Sequence, residues 1–323
     1  MKKKLAELSL ITALIITIFF QAFNDTAYAR SINDGIGRTS FTWLKSISDA
    51  GISSAGECVA ARDCVSSLLV HPAAVAGVTY GRVKMSYVSH YVDTQYGFIG
   101  YARRLRDHDI GIRLTYVNYG TFNGRNINNE STGTFTAGDM GFSFNLGKQL
   151  RDDLKVGAMV SYITSKIDDF TAQAATIDLG ALYYPPFEGF TVGAVLMNMG
   201  KVIKGYSSGY EETMPVYLSI GIKKKLVHAP LTLFSDVIFP NDYDIVYAYG
   251  IETSVKEKLF LYAGTKSRSK IDKEQMKSKT DFSGITTFGF GIELRSYRFN
   301  YAYCPDNFSL GDVHKITLSS KMK

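Results

Sequence analysis

Residues 216–223 read Val-Tyr-Leu-Ser-Ile-Gly-Ile-Lys, so apolar side chains alternate with aromatic, small or charged ones. The same two-residue period recurs in some fourteen segments, and residues 139–146 give another clear case, Asp-Met-Gly-Phe-Ser-Phe-Asn-Leu. In a membrane β-barrel one face of each strand contacts lipid and the other faces the lumen, which produces this alternation in segments of about ten residues. The sequence therefore predicts an all-β fold, a 14-stranded antiparallel transmembrane β-barrel occupying residues 81–323.

The composition agrees with a barrel. The 323 residues are 46% hydrophobic with a mean hydropathy of −0.02, so no helical membrane bundle is present, while 21 Tyr and 20 Phe suit strands with aromatic girdles. The alternative is a soluble β-sandwich, whose strands usually have about five or six residues. Several segments here run to nine or more. The net charge of +6 is too small to indicate a nucleic-acid partner.

The first residues resemble an export signal. Three lysines at positions 2–4 precede the uncharged apolar run 8–20, and Ala27-Tyr28-Ala29 provides the small residues that a signal peptidase reads. An uncleaved anchor is the alternative, but thirteen helical residues cover only about 20 Å of a hydrocarbon core of about 30 Å. We expect residues 1–29 to be a signal peptide cleaved between Ala29 and Arg30, and the mature chain to reach the outer membrane of a Gram-negative-type bacterium through the periplasm.

Residues 30–80 differ from the rest because they are rich in Ser, Ala and Gly. Residues 63–70 are predicted to form a short helix that Asp63 caps and that ends before Pro72. Strand side chains can fill the interior of a barrel of about eight strands, but a 14-stranded barrel is wider and leaves a lumen that its own side chains do not fill. We therefore expect a short N-terminal plug containing a small helix; a periplasmic tail is the alternative.

The predicted strands begin near residues 82, 95, 109, 137, 153, 171, 189, 215, 230, 244, 258, 286, 296 and 313. The three longest connections, residues 120–133, 200–214 and 265–285, follow the third, seventh and eleventh strands, so all three lie on one side of the membrane. Long outer loops and short periplasmic turns are typical of outer-membrane barrels. The Lys-rich stretch 266–279 either contacts anionic lipopolysaccharide or is solvated.

Charged residues of both signs fall on the non-lipid face of the predicted strands, which argues against a pore that selects one sign of ion. We expect them to face the lumen and hold the plug. They are Arg82, Lys84, Arg113, Asp139, Lys155, Asp178, Asp236, Glu293 and Arg298.

Cys58 and Cys64 are candidates for a disulfide across the plug, with separate thiols as the alternative. Residues 205–209 read Gly-Tyr-Ser-Ser-Gly, but they lie in a predicted loop and not at the strand-to-helix turn that a nucleophile elbow needs. We predict no catalytic residue, no metal site and no cofactor.

A series of short motifs along the chain resembles the PorV/PorQ family of FadL-like outer-membrane barrels. The series opens with Gly56-Glu57-Cys58-Val59-Ala60, Ser66-Ser67-Leu68 and His71-Pro72-Ala73, where the family usually has Asn in place of His71. It continues through Ile177-Asp178-Leu179-Gly180, Asn198-Met199-Gly200, Ser235-Asp236-Val237, Phe288-Gly289-Phe290-Gly291 and Asn300-Tyr301-Ala302-Tyr303. The matches are collinear over almost the whole mature chain.

The resemblance implies a non-enzymatic protein of transport or secretion. FadL-like barrels pass hydrophobic solutes, and PorV and PorQ act in type IX secretion, so the implied partners are lipid-like ligands or exported proteins with C-terminal sorting domains, besides outer-membrane lipids and lipopolysaccharide. The alternatives are a general porin and a structural or adhesive outer-membrane protein. The sequence leaves the oligomeric state open.

Overall fold

The structure, a computed structural model, describes residues 39–90, 93–207, 212–268, 285–305 and 311–322. The predicted signal peptide, its cleavage site between Ala29 and Arg30, and residues 30–38 lie outside the described residues, so these calls stay predictions.

Fourteen antiparallel strands make up most of the described chain. They are β1 (Gly81–Ser89), β2 (Gln95–Leu105), β3 (His108–Arg125), β4 (Ser131–Arg151), β5 (Leu154–Ile167), β6 (Phe170–Tyr183), β7 (Phe190–Lys204), β8 (Tyr217–Lys225), β9 (Leu231–Pro240), β10 (Val246–Val255), β11 (Leu259–Arg268), β12 (Ile285–Leu294), β13 (Tyr297–Cys304) and β14 (Val313–Met322). Each strand pairs with its neighbours in sequence. Pairing of β1 with β14, from Gly81 opposite Met322 to Ser89 opposite His314, closes the barrel and confirms the predicted fold class.

The two faces of the wall follow the alternation in the sequence. On β4, Met140 and Phe142 are each 54% exposed on the outer face, whereas Asp139, Ser143 and Asn145 are buried on the inner face. Large apolar side chains are exposed on the outer face of the other strands as well. An apolar outer face of this kind is stable only against lipid, and it makes this a membrane barrel.

Thirteen strands begin within two residues of the predicted positions, but the predicted start of β4 was wrong by six residues. The predicted loop 120–133 is mostly a hairpin. The strand β3 continues through residues 119–125 beyond its pairing with β2, and β4 begins with residues 131–136 before its pairing with β5. In this extension β3 and β4 pair only with each other. The rings of Phe122 and Phe135 stack there with centroids 5.3 Å apart.

The remaining elements are short and precede β1. They are the 3₁₀ turn Thr42–Lys45, the α-helix α1 (Ala50–Ser53) and the 3₁₀ turn Pro72–Val75. The carboxylate of Asp49 caps α1 by accepting from the backbone N–H of Ile52 at 2.9 Å. Within the described chain, no helix is long and apolar enough to span a membrane.

The predicted helix over residues 63–70 was wrong, because these residues form bends and consecutive turns. Leu69 has a φ of +66°, a left-handed conformation that a right-handed helix does not accommodate. The hydroxyl of Ser67 donates to the carbonyl oxygen of Cys64 at 2.8 Å, a local bond of the kind that competes with helix formation.

The two ends of the barrel differ in their connections. One end, called here the short-turn end, carries the β2–β3, β4–β5 and β12–β13 turns of two residues each. The opposite end, the long-loop end, carries the β7–β8 connection and the ends of β11 and β12 that flank residues 269–284, which are outside the described residues. By the strand bounds, the β7–β8 and β11–β12 connections are long and lie at the same end as predicted, whereas the third predicted long connection, between β3 and β4, is only residues 126–130.

Arginine in place of Phe142 tests the assignment of the lipid face. We expect Phe142→Arg to reduce the free energy of unfolding by roughly 2–4 kcal/mol, since the charge would lie near the lipid midplane. Phe122→Arg, on the hairpin extension, is the matched control and is expected to cost roughly 0–1 kcal/mol. The measurement is urea-dependent folding into phospholipid vesicles, and equal losses in the two variants would contradict the assignment.

Candidate functional site

The N-terminal segment, residues 39–80 and called here the plug, runs through the lumen from one end to the other. At the long-loop end Thr39 forms a β-bridge with Thr213, and the backbone N–H of Ser40 donates to the Thr213 carbonyl oxygen at 3.0 Å. At the short-turn end the plug continues directly into β1 at Gly81. The plug therefore occupies the path that a solute would otherwise take.

Close approach of plug backbone to the wall requires glycine on the inner face of several strands. A Cβ at Gly193 of β7 would overlap the carbonyl oxygen of Ala60, and one at Gly157 of β5 would overlap the carbonyl group of Pro72. No side chain fits between these backbones. The small inner-face residues of the sequence thus leave space for the plug and not for an open pore.

Lys84 of β1 connects the wall to two parts of the plug. Its ammonium group is 2.8 Å from the Asp49 carboxylate and donates to the carbonyl oxygens of Leu68, at 3.1 Å, and Ser66. The side chain is 1% exposed. Because a buried charge is tolerated only when it is paired and hydrogen-bonded, these contacts depend on one another.

A second connection is centred on Glu57 of the plug. The ammonium group of Lys315 on β14 is 3.2 Å from one Glu57 carboxylate oxygen and donates to the Ile47 carbonyl oxygen at 2.7 Å, and Lys266 of β11 pairs with the other Glu57 oxygen. Burial alone would raise the pKa of Glu57, but the two ammonium groups lower it to about 2. The carboxylate is therefore ionised at neutral pH. Lys266, the first residue of the Lys-rich stretch 266–279, is part of the wall–plug contact; residues 269–279 lie outside the described residues, so the choice between lipopolysaccharide contact and a solvated loop stays open for them.

Asp236 and Arg113 contact the plug backbone. One carboxylate oxygen of Asp236 accepts from the N–H groups of Val59, at 2.7 Å, and Ala60, at 2.8 Å. The guanidinium of Arg113 donates to the carbonyl oxygen of Leu69 at 2.7 Å. These side chains satisfy backbone groups of a segment that has little secondary structure of its own.

Asp139 and Asp178 contact the wall itself, at two irregularities. Asp139 accepts from the Tyr119 hydroxyl at 2.6 Å, beside the β3–β4 register shift. Asp178 accepts from the backbone N–H of Asn198 at 2.6 Å, beside the β6–β7 shift, and Asn198 has a φ of +60°. Both carboxylates stabilise bulged strands.

The other predicted charged residues lie toward the short-turn end. Arg298 donates to the hydroxyl of Tyr262 at 2.7 Å and lies 3.6 Å from the carboxylate of Glu293. The ammonium group of Lys155 is 5.6 Å from the centroid of the Tyr184 ring, and Arg82 is partly buried on β1.

Several charged residues of the site were missed from the sequence. They are Asp49, Glu57, Arg62, Asp63, Asp109, Lys223, Glu252, Lys266 and Lys315. Strand alternation alone identifies Lys223 and Lys315 as inner-face residues. The members on the plug carry no such periodic signal.

The structure does not contain the disulfide considered between Cys58 and Cys64. Among the described residues all three cysteines, including Cys304, are free thiols. The chain between Cys58 and Cys64 turns around the buried side chain of Arg62, whose Nε donates to the Cys58 carbonyl oxygen at 3.1 Å. Cys58 is itself buried, whereas Cys64 is partly exposed.

The inner face near the long-loop end is largely apolar. One cluster joins Phe41 of the plug to Ile163, Ala172, Ala174 and Met214, and a second joins Val88, Tyr96, Val117 and Val313. Trp43 of the plug packs against both. Polar contacts occur at this end as well, where Asp139 accepts from the Tyr119 hydroxyl and Lys45 pairs with Asp242.

His71 lies in the plug beside β6 and is fully buried. Its Nδ1 accepts from the backbone N–H of Ala73 at 3.1 Å, which requires the neutral ring. Burial lowers the pKa of His71 to about 4. Protonation of His71 is therefore opposed while the plug is in place.

No group of three or more metal-ligating side chains occurs in the described part of the chain. Of the Gly-x-Ser-x-Gly sequence at 205–209, the last two residues lie outside the described residues, and Tyr206 packs against the Phe41 cluster.

Comparison with known structures returns transport proteins of similar fold. The Pseudomonas putida toluene transporter TodX is similar with a TM-score of 0.58 at 13% identity, covering 83% of this chain and 95% of that chain. The Ralstonia pickettii toluene transporter TbuX gives 0.58 at 13%, covering 87% and 99%, and a Pseudomonas aeruginosa FadL homologue gives 0.50 at 11%, covering 85% and 98%. Identities this low show a common fold. No family model and no curated protein matches the sequence.

Acidification is expected to release the plug through His71. Its pKa is about 4 in place and about 6.5 when free, so the docked state loses stability as the pH falls from 6.5 to 4. Between pH 7 and pH 5 the contribution of His71 alone should raise the undocked fraction about 20-fold, whereas Glu57 contributes only below about pH 4.5.

The measurement is labelling of buried Cys58 by a pyridyl disulfide in a Cys64→Ser/Cys304→Ser background. His71→Asn retains an acceptor for the Ala73 N–H but does not titrate, so it serves as the matched control. The labelling rate of the protein with His71, divided by the rate of the His71→Asn variant at the same pH, should rise on acidification. A ratio that does not depend on pH would show that His71 does not control the plug.

Proposed function

We propose that this protein is a plugged outer-membrane channel for hydrophobic solutes, with the long-loop end at the cell surface and the short-turn end in the periplasm. The observation that carries the proposal is the apolar inner face at the long-loop end. A general porin has a polar, water-filled lumen. Here Phe41, Ile163 and Met214 form part of an apolar surface that suits a solute with little affinity for water.

The plug supports a selective channel over a general porin. Its backbone lies directly on the inner wall at Gly157 and Gly193, and paired charges such as Lys84 with Asp49 hold it there. Passage of a solute would therefore require local movement of the plug. The toluene transporters that share the fold make a transport role for this chain reasonable.

The alternative to solute transport is cargo handling in type IX secretion, which the resemblance to PorV and PorQ implies. The N-terminal motifs that carry this resemblance, around Gly56 to Ala60 and around Pro72, belong to the plug and pack on the wall. Their similarity is therefore accounted for by a common plug and does not favour secretion over solute transport. Co-purification with an exported protein that carries a C-terminal sorting domain would favour secretion.

Uptake by cells tests the transport proposal. A Gram-negative host that expresses the full chain should take up radiolabelled toluene or oleate several-fold faster than the empty host, with no increase in permeability to a polar solute such as raffinose. Equal acceleration of the polar solute would favour a general porin. No acceleration of either hydrophobic solute would contradict the proposal.

Conductance in planar bilayers tests the plug. The wild-type protein should conduct little. Lys84→Met should cause frequent large openings, because loss of one partner of a buried ion pair destabilises by about 3–5 kcal/mol and leaves Asp49 unpaired. Lys321→Met, an equal change at an exposed position of β14, is the matched control and should remain closed. Steady ohmic conductance of the wild-type protein would contradict a plugged lumen.

A further inference from the structure

A cavity of about 320 Å³, called here the thiol cavity, opens at the short-turn end where the plug turns around Arg62. Its rim carries the exposed side chains of Lys225, at the end of β8, and Glu257, in the β10–β11 turn. Its floor includes Arg62 and Phe234, which are both buried. Pockets that hold small molecules have volumes of roughly 300–1,000 Å³, so the thiol cavity has room for one compact ligand.

The thiol of Cys64 lines this cavity. Cys64 is partly exposed, whereas Cys58 on the same turn of the plug is buried. The thiol lies close enough to the Arg62 guanidinium for the two groups to interact electrostatically. Buried thiols are inert, and reaction of a cysteine requires access to its sulfur. A molecule that is bound at Arg62 inside the cavity therefore lies beside a sulfur that it can reach.

The guanidinium of Arg62 can donate further hydrogen bonds. Its Nε donates to the Cys58 carbonyl oxygen and its Nη1 to the Gly51 carbonyl oxygen, each at 3.1 Å, and it lies 4.0 Å from the centroid of the Phe234 ring. Glu252 is 3.7 Å from Nη1, too far for a hydrogen bond. Nη2 has no hydrogen-bond partner among the described residues, although the side chain is 0% exposed. Because a buried donor without a partner is costly, an anionic group that enters the cavity is stabilised at Nη2.

Carboxylates also line the thiol cavity. They belong to Glu252 of β10, Glu257 of the β10–β11 turn and Glu293 of β12, while Lys223 on the same lining pairs with Asp63 of the plug. A ligand that carries only negative charge meets repulsion from the glutamates, and one that carries only positive charge meets repulsion from the guanidinium. The cavity therefore suits a compact zwitterion, with a carboxylate for Arg62 and an ammonium group for the glutamates.

We propose that the thiol cavity binds a zwitterionic disulfide of the cystine type and that Cys64 exchanges with it. The thiolate of Cys64 attacks one sulfur of the ligand, the disulfide bond of the ligand breaks, and a new disulfide joins Cys64 to half of the ligand. The other half leaves as a thiolate and takes up a proton from solvent, which replaces the proton that Cys64 released. The Cys64 sulfur is oxidised and the departing sulfur is reduced, so the ligand itself is the oxidant.

Exchange rates with three disulfides of different charge test the proposal. L-Cystine is a zwitterion, cystamine is a dication and dithiodiglycolate is a dianion. Each is added at equal concentration and neutral pH to the full-length Cys58→Ser/Cys304→Ser protein in detergent, and intact-protein mass spectrometry measures the mixed disulfide at Cys64. The same protein unfolded in urea gives the rate of Cys64 without the cavity, so the folded rate divided by the unfolded rate corrects for the reactivity of each disulfide.

The rate ratio for cystine should exceed each of the other two ratios about tenfold, because cystine alone gains a charge-assisted contact at both ends of the cavity. Glu257→Gln should lower the ratio for cystine and raise the ratio for dithiodiglycolate. Arg62→Lys keeps the positive charge but loses Nη2, so it should lower the ratio for cystine and leave the ratio for cystamine unchanged. Asp152→Asn, at an exposed position of the β4–β5 turn, is the matched control and should change none of the ratios. Heat-modifiable migration on gels confirms that each variant is folded.

Two results would overturn the proposal. Equal rate ratios for the three disulfides would show that the cavity does not bind a zwitterion beside Cys64. A folded protein that reacts with none of them, while the unfolded chain reacts with all three, would show that ligands do not reach the sulfur. Neither result bears on the uptake of toluene or oleate by cells, so this inference and the transport function are tested independently.

Discussion

The requirement that every backbone N–H and C=O group in a bilayer find a partner within the protein governs this structure. A sheet meets it only when it closes, and pairing of β1 with β14 closes this one. Closure with fourteen strands creates a lumen wider than strand side chains fill. The need for a plug therefore follows from the size of the wall.

A plug brings a new polar backbone into a confined space, and the wall supplies its partners. Because the plug has little regular structure, its N–H and C=O groups are satisfied by charged side chains, as Asp236 does for Val59 and Ala60. The charges in turn need partners, which Glu57 and Asp49 provide. The positive and negative side chains along the inner face therefore serve to bind the plug and do not line a path for ions.

The two halves of the lumen are packed differently. The deeper half is packed with plug backbone against glycine and with buried ion pairs, an arrangement that is costly to disrupt. The half at the long-loop end holds an apolar cluster around Phe41, whose backbone is left-handed, together with the ion pair between Lys45 and Asp242.

The sequence by itself determined the barrel, the number of its strands and the parity of its loops, because side-chain alternation is a local property of each strand. Only the tertiary structure decided what fills the barrel. The helix expected at residues 63–70 is absent because Leu69 has a left-handed backbone and the Ser67 hydroxyl donates to the Cys64 carbonyl oxygen. In the β3–β4 hairpin, β4 begins six residues before its predicted start. Glu57, Lys266 and Lys315 are far apart in the chain and meet only when the wall closes around the plug, so strand alternation can place Lys315 on the inner face but cannot pair it with Glu57.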